Sequence, residues 1–433
     1  MVTLALPTMM ESLLSTLMQY VDTAMVGRLG ASATAAVSTT TTVTWLINAV
    51  PAAFSVATMT LVSRAVGSRD NDEIKAVAKK ALKLSLLVGL IIEVICLVLS
   101  PFIPAWMGAE KAIRHNASVY FAIICLPLVI KSMNIVLASA VRATKDTVSP
   151  MIIGLVANGL NLVFDYICIY MLNMGVIGAA VATLASTVIQ SGAMYVVFRR
   201  NELLHFEFGS VIVAKENITA KILDMAYPIL LTNVASCFGY VVFASQVSRM
   251  GTIIFAAHSI AVTAEQFFYI GGYGLKTATS TMVGIAYGER NGRKYKLVCK
   301  SAVVMTVVMM SLSGLLLYFV ATPLMSLFST DAEVIRLGAA VLRIVAFSEP
   351  FFGIYVVTEG IYYGMGRSKY PFVVELIGMW AVRILSTFIV VNVVGGTLNH
   401  VWYCMITDNI LKALLFIIPL RGLYDHKHFE QQS

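Results

Sequence analysis

The chain has 433 residues, of which 58% are hydrophobic and only 12% are charged, and its formal net charge is +8. The mean hydropathy of +0.83 excludes an ordinary soluble domain, because so much apolar surface cannot be hidden from water. Since helices satisfy their own backbone hydrogen bonds in lipid, we expect an all-α membrane protein with the lipid bilayer as its solvent.

Twelve apolar segments follow one another along the chain. A transmembrane helix needs about 20 mostly apolar residues, and each segment meets this length. The predicted spans are residues 2–26, 33–61, 82–106, 117–139, 150–172, 177–198, 222–247, 253–283, 302–327, 335–363, 371–394 and 400–420.

The first span does not look like a signal peptide. It carries Pro7 and Asp22 and lacks a basic start and a small-residue cleavage site, so it is predicted to be a retained helix. Because the chain starts almost inside this span, we expect a few residues to precede it in the full protein.

The second half of the chain repeats the first at an offset of 221 residues. Pro7 recurs as Pro228, and Arg28-Leu29-Gly30 recurs as Arg249-Met250-Gly251. A constant offset across many spans indicates a duplicated unit, and six spans in each copy make the repeats parallel. We predict two pseudo-symmetric six-helix bundles facing a central cavity: an N-terminal lobe (1–200), a cytoplasmic linker (201–221) and a C-terminal lobe (222–433).

Basic residues are distributed unevenly between alternate loops. With both termini on one side, 21 loop cations fall on that side and 5 on the other. Lys215 in the linker and Lys427 near the C-terminus belong to the larger group. The positive-inside rule then predicts a plasma (inner) membrane protein with both termini in the cytoplasm. This topology accounts for the net charge, so we expect no nucleic-acid partner.

The first span carries a polar stripe on one helical face. Glu11, Ser15, Gln19 and Asp22 are spaced four, four and three residues apart. A carboxylate facing lipid costs a few kcal/mol, so the stripe is predicted to face the bundle interior or water. The counterparts at the 221 offset carry no charge: Thr232, Ser236, Tyr240 and Phe243.

The fifth span carries a second stripe, of Gly154, Asn158, Asn161 and Asp165. If Asp22 and Asp165 converge, they can share a proton, because like charges in a low dielectric disfavour double ionisation. Alternatively, they can hold a small cation with asparagine oxygens as neutral ligands. A purely structural hydrogen-bond network is the remaining interpretation. The counterparts in the eleventh span are Glu375, Met379, Val382 and Ser386.

Three spans of the second half carry candidate cavity residues. Glu265 and Tyr269 lie one turn apart in the eighth span, as do Tyr355 and Glu359 in the tenth. Together with Tyr240 they are predicted to line a cavity for an amphipathic cation through carboxylate and ring contacts. A structural role is the alternative.

The last two spans contain four further charges. Asp408 and Lys412, four residues apart, predict a self-neutralising helical pair. Arg383 and Glu375, two turns apart in the eleventh span, predict an ion pair inside the bundle.

Enzyme motifs are missing from the sequence. There is no Walker A, HExxH or GxSxG pattern, and the six cysteines are scattered without metal-ligand spacing. We therefore predict no enzyme activity and no cofactor.

Several of these segments resemble the multidrug and toxic compound extrusion (MATE) family of antiporters. The resemblance rests on residues 21–30 (VDTAMVGRLG), on residues 142–147 with Pro150, and on Gly178-Ala179-Ala180 after the fifth-span stripe. The resemblance implies that Asp22, Asn161 and Asp165 form a proton or monovalent-cation site, with Asn158 and Gln19 beside them, and that Pro7 is a helix bend. Where some members carry a seventh-span glutamate and a tenth-span aspartate, this chain has Ser236 and Phe352, which favours ion coupling in the N-terminal lobe.

The expected function is a monomeric antiporter, driven by H⁺ or Na⁺, that exports organic cationic or amphipathic compounds by alternating access. A lipid-linked oligosaccharide flippase of the same superfamily is an alternative, although a cationic cavity would suit it better than acidic stripes. A major-facilitator antiporter shares the twelve spans but not the motifs of the first and fifth spans. A membrane-embedded enzyme is the alternative from another class.

Overall fold

The structure is a computed structural model that describes residues 2–206 and 217–423, apart from the side chains at positions 31 and 421–423. Within these ranges the chain is almost entirely helical and contains no strand, which confirms the predicted all-α fold. The first half forms α1 (Val2–Gly27), α2 (Ala31–Ser68), α3 (Asn71–Leu99), α4 (Ile103–Trp106), α5 (Lys111–Cys125), α6 (Leu128–Ala143), α7 (Val148–Asp165) and α8 (Gly175–Arg200).

The second half repeats the order of the long helices, but it has no counterpart of the short α4, and its eleventh span is divided by π-segments. It forms α9 (Ile218–Ser248), α10 (Thr252–Gly288), α11 (Gly292–Phe328), α12 (Ala332–Ala346), α13 (Glu349–Gly364), α14 (Lys369–Glu375), α15 (Leu385–Ile389) and α16 (Leu398–Leu423). Residues 207–216 of the predicted linker lie outside the described residues, as do the predicted cytoplasmic cations Lys215 and Lys427.

The helix boundaries reproduce the repeat found in the sequence. The bounds of α12 and α13 are those of α5 and α6 shifted by 221 residues. Gly30 before α2 has φ 106° and its counterpart Gly251 before α10 has φ 117°, a left-handed conformation that glycine adopts without a steric penalty. The duplication is therefore confirmed at the level of helices and turns.

Nine helices are long and apolar enough to cross a membrane, and two bent pairs raise the number to eleven within the described part of the chain. The pairs are α5 with α6, bent by 43°, and α12 with α13, bent by 58°. Pro127 and Pro350 lie at these breaks, where the missing N–H interrupts helical hydrogen bonding. Helix α1 is not among these candidate spans, so the exact number of twelve spans stays a prediction.

Two spans change from α- to π-helix along their length. Residues Tyr166–Met171 continue α7 as a π-helix immediately after Asp165, and Leu376–Ile384 does so after α14. A third π-segment, Val390–Val394, follows α15. Such segments are rare and frequently occur at functional sites.

The chain divides into two compact units, one formed by Leu6–Leu230 and the other mainly by the residues from Leu231 onward. In the first unit Cys96, Phe121 and Cys125 belong to one buried apolar cluster. In the second, a larger cluster surrounds the fully buried Trp402. The lobe boundaries at residues 200 and 222 stay a prediction.

Candidate functional site

In the first unit, the polar stripe of α1 bonds to residues of α6 and α7. At the N-terminal end of the stripe, Arg142 of α6 donates to both carboxylate oxygens of Glu11, each at 2.8 Å. One turn further along α1, the side-chain amide of Asn158 donates to the hydroxyl of Ser15 at 3.0 Å. These bonds fix the face that α1 presents to α7.

At the other end of the stripe, Asp22 and Asp165 form what we call the N-terminal acidic pair. Their side chains lie within hydrogen-bonding reach of each other, and Asp165 is fully buried. Among the described residues no donor is found for Oδ1 of Asp22 or for either carboxylate oxygen of Asp165. Two carboxylates at this separation need a shared proton or a bound cation, because both cannot stay charged in a low dielectric.

The groups around this pair come from α5, α7 and the π-segment after Asp165. Asn161 lies on the same stripe of α7 as Asp165, and its buried side-chain amide nitrogen has no acceptor within the described ranges. Tyr120 of α5 is close enough to interact electrostatically with both acids. The hydroxyl of Tyr170, in the π-segment after Asp165, donates to the backbone oxygen of Met25 at 3.1 Å. The π-segment thus links the end of α1 to the helix that carries Asp165.

The predicted N-terminal site residues differ in their surroundings. Asp22 and Asp165 are brought together, and Asn161 is half-buried on the same stripe. Asn158 is engaged with Ser15, and Gln19 is exposed. The sequence analysis missed the bond between Glu11 and Arg142, because positions on two helices so far apart in sequence give no periodic signal.

The predicted cavity residues of the second unit are mostly engaged within the protein. Glu359 pairs with Lys276 at 2.7 Å, and Tyr269 donates a hydrogen bond to the buried Glu265. The Tyr355 hydroxyl lies 3.5 Å from Glu375. Tyr240 is half-exposed, so among these five it is the most accessible.

The four charges of the last two spans form one buried network whose pairing differs from the prediction. Lys412 contacts both Glu375, at 2.8 Å, and Asp408, at 3.2 Å, so the expected helical pair exists as part of a larger set. The expected pair between Arg383 and Glu375 is wrong, because Arg383 contacts Asp408 at 2.8 Å. Arg383 and Glu375 lie two turns apart on one span, and each pairs instead with a closer residue of α16.

The same network reaches α9. The Ser236 hydroxyl donates to Glu375 at 2.6 Å, and Lys412 lies 5.2 Å from the centre of the Tyr355 ring. Ser15 and Ser236 are equivalent at the 221 offset, and both bond to the fifth span of their own repeat. The serine position is shared, but the partner differs in position and chemistry: Ser15 accepts from the neutral amide of Asn158, whereas Ser236 donates to the carboxylate of Glu375.

A family model, described as MatE, matches the chain twice, at residues 7–167 and 228–389. The two matches reproduce the repeat. The chain belongs to the MatE family. It is therefore a multi-pass membrane protein of a transporter family.

Two curated relatives of this MatE protein span almost its whole length. A probable multidrug resistance protein NorM from Thermotoga maritima is 26% identical over 96% of the chain and 91% of the relative. The multidrug export protein MepA from Staphylococcus aureus is 23% identical over 96% and 92%.

Solved structures show the same fold. An outward-facing multidrug resistance MATE transporter matches with a TM-score of 0.93 at 24% identity, covering 99% of the chain and 96% of that structure. A transporter from Pyrococcus furiosus, described as having a binding pocket of reversed polarity that suggests a different function, matches with a TM-score of 0.92 at 24% identity, covering 98% and 95%. At this identity the likeness establishes the fold alone.

Proposed function

We propose that this protein is a cation-coupled antiporter that exports organic cations or amphipathic compounds from the cytoplasm. The observation that carries the proposal is the N-terminal acidic pair. Asp22 and Asp165 lie on different helices, converge in one buried site, and Arg142 is committed to Glu11 rather than to them. The names of the NorM and MepA relatives support multidrug export as the activity.

The coupling ion, H⁺ or Na⁺, binds at Asp22 and Asp165 with Asn161 as the neutral neighbour. Uptake of one positive charge relieves the repulsion between the two carboxylates. In the proposed cycle the ion enters from outside, α1 bends near Pro7, and the substrate is released outside. Return of the empty site to the inside resets the cycle. Linkage requires that ion and substrate each weaken the binding of the other.

A flippase for lipid-linked precursors would need buried cations available for phosphate groups. In the second unit Arg383, Lys412 and Lys276 each contact a carboxylate, and this supports the export of cations instead. We further propose that the protein works as a monomer in the plasma membrane with both termini in the cytoplasm. A cysteine introduced at Glu202 of the linker should react with an impermeant maleimide only in inside-out vesicles. Labelling in right-side-out vesicles would reverse the orientation.

The proposed coupling is tested by efflux of a fluorescent cation from proteoliposomes, with a pH gradient and a Na⁺ gradient imposed separately. Asp22→Asn should lose gradient-driven transport, because a neutral amide removes the charge that the ion compensates. The matched control is Glu93→Gln, in the same unit, where the glutamate accepts a hydrogen bond from the Val129 backbone at 2.9 Å and an amide oxygen can replace it. Unimpaired efflux by Asp22→Asn would refute the coupling role.

A further inference from the structure

Two outer helices, one in each unit, carry exposed cations near their amino-terminal ends. Among the candidate spans of the described chain, α3 and α11 have the most apolar stretches, and only 22% of each stretch is buried within the protein. Both helices therefore lie on the outside of their own unit, against the bilayer. Exposed basic residues lie near the start of both helices: Lys80 and Lys83 of α3, and Arg293, Lys296 and Lys300 of α11.

One face of α11 is exposed along most of its length. Large apolar side chains, each more than half exposed, follow one another there at intervals of three or four residues: Val304, Val308, Leu312, Leu315 and Phe319. Such intervals keep side chains on one side of an α-helix. In a multi-pass membrane protein, this face lies against the hydrocarbon of the bilayer.

The cations of α11 continue the same face towards the start of the helix. Arg293, Lys296, Lys300 and Val304 follow one another at intervals of three, four and four residues. Since about 20 residues of helix cross the hydrocarbon, a span that starts at Val304 places Lys300 one turn outside it. Lipid phosphate groups lie at this depth, and long basic side chains reach them by extending their aliphatic stems along the apolar surface.

Helix α3 has the same arrangement at different positions. Lys80 and Lys83 are followed, again at intervals of three or four residues, by large apolar side chains that are at least half exposed: Leu87, Ile91, Val94 and Val98. At the 221 offset the counterparts of Lys80 and Lys83 are Ser301 and Val304. The two helices therefore bring cations to their lipid-facing sides through different residues. We call the five residues the lipid-facing cations: Lys80, Lys83, Arg293, Lys296 and Lys300.

The lipid-facing cations have no counter-ion within residues 2–206 and 217–423. Two neighbouring lysines do have partners, since Lys294 pairs with Glu289 at 2.6 Å and Lys79 lies 5.8 Å from the centre of the Phe206 ring. Like charges three or four residues apart on one helix repel each other. An anion beside these side chains relieves that repulsion, and at the membrane surface the available anions are the lipid headgroups.

We propose that the lipid-facing cations of α3 and α11 bind the phosphate groups of anionic phospholipids such as phosphatidylglycerol. The cations hold the headgroup, and the exposed apolar face that follows them packs against the acyl chains of the same lipid. A zwitterionic lipid fits less well, because its own cationic group opposes the basic side chains. The proposal concerns the outer surface of each unit, and it depends neither on ion coupling at Asp22 and Asp165 nor on the orientation of the protein in the membrane.

The test uses the full-length protein reconstituted in mixed vesicles of phosphatidylcholine and phosphatidylglycerol. A trace of spin-labelled phosphatidylglycerol or phosphatidylcholine is added, and electron paramagnetic resonance measures the fraction of each that is immobilised at the protein surface. Phosphatidylglycerol should associate about twofold or more in preference to phosphatidylcholine in about 0.1 M salt. The preference should fall towards unity in about 1 M salt, because salt screens exposed charges.

Glutamine substitutions then locate the preference on the protein. The α3 variant (Lys80→Gln with Lys83→Gln) and the α11 variant (Arg293→Gln, Lys296→Gln and Lys300→Gln) should each lower it, and the combined variant should abolish it. Arginine at positions 80 and 83 should retain it, because the charge is kept. All five side chains are exposed and unpaired in the described chain, so the variants should unfold at the temperature of the unmodified protein.

The matched control changes the net charge as much as the α3 variant does. Lys294→Gln with Arg336→Gln removes two cations that already have acidic partners, Glu289 and Glu333, each at 2.6 Å, and it should leave the preference unchanged. The proposal is overturned if phosphatidylglycerol is not preferred in low salt, if the combined variant keeps the preference, or if the control lowers it as much as the α3 variant. No step of the test measures transport, so its failure is distinguishable from failure of the proposed antiport.

Discussion

Gly178, near the start of α8, lies close to the backbone of the π-segment following Asp165. A Cβ at this position would lie 2.8 Å from both the carbonyl carbon and the oxygen of Cys168, and 3.1 Å from the backbone nitrogen of Ile169. Ordinary contacts of this kind are about 0.6 Å longer. Because the opposing atoms are backbone, no side chain can rotate away, and either the helix or the π-segment must move.

Gly178→Ala should therefore destabilise the protein by about 1–3 kcal/mol through overpacking. The matched control is Gly192→Ala in the same helix, where a Cβ meets nothing within 4 Å. Both substitutions gain the same helix propensity, up to about 1 kcal/mol, so that contribution cancels in the comparison. The two variants should differ by about 2 kcal/mol, roughly a 30-fold difference in the unfolding equilibrium.

The assay is SDS-induced unfolding of the purified protein, followed by tryptophan fluorescence, with gradient-driven efflux measured in parallel. Gly178→Ala should also slow efflux, because the π-segment connects directly to Asp165. If the two alanine variants unfold within about 0.5 kcal/mol of each other, the inferred close packing of α8 on the π-segment is refuted.

Two further experiments test the ion pairs. In a double-mutant cycle of Glu11→Gln and Arg142→Gln, the coupling energy should be about 2 kcal/mol, because one guanidinium nitrogen contacts both carboxylate oxygens and only 19% of each side chain is exposed; a coupling near zero in SDS unfolding would contradict this. Lys412→Met should cost about 3–5 kcal/mol, because Glu375 loses its buried counter-ion, and Lys412→Met combined with Glu375→Gln should recover part of the loss. No recovery in the combined variant would show that Lys412 stabilises the unit in another way.

The polar residues of α1 and α7 could be predicted as site residues, because the spacing that identifies them lies within a single helix. The spacing of Glu11, Ser15 and Asp22 places them on one helical face whatever the neighbours are. The same holds for Asn158 and Asp165 on α7. Whether Asp22 and Asp165 converge could not be predicted, since the periodicity of one helix does not show which face of another helix it contacts.

Glu265 and Glu349, two buried acids close enough to interact electrostatically, show where local patterns fail. Glu265 was predicted as a cavity residue from its spacing with Tyr269, and Glu349 carried no stripe at all. Their proximity depends on the packing of α10 against α13 and on the 58° bend between α12 and α13. Arg383 likewise forms its ion pair with Asp408 on α16 and not with Glu375 on its own span.

Composition, periodicity and a constant offset are properties of the chain, and they were enough to predict the membrane setting, the helical class, the duplication and the positions where the repeats differ. Which charges meet depends on the packing of the helices. An ion pair or an orphaned carboxylate depends on distances of a few ångströms between helices far apart in sequence, and burial makes those distances energetically decisive. Asp22 with Asp165 and Glu265 with Glu349 are therefore pairs that the fold creates from residues the sequence could place only one helix at a time.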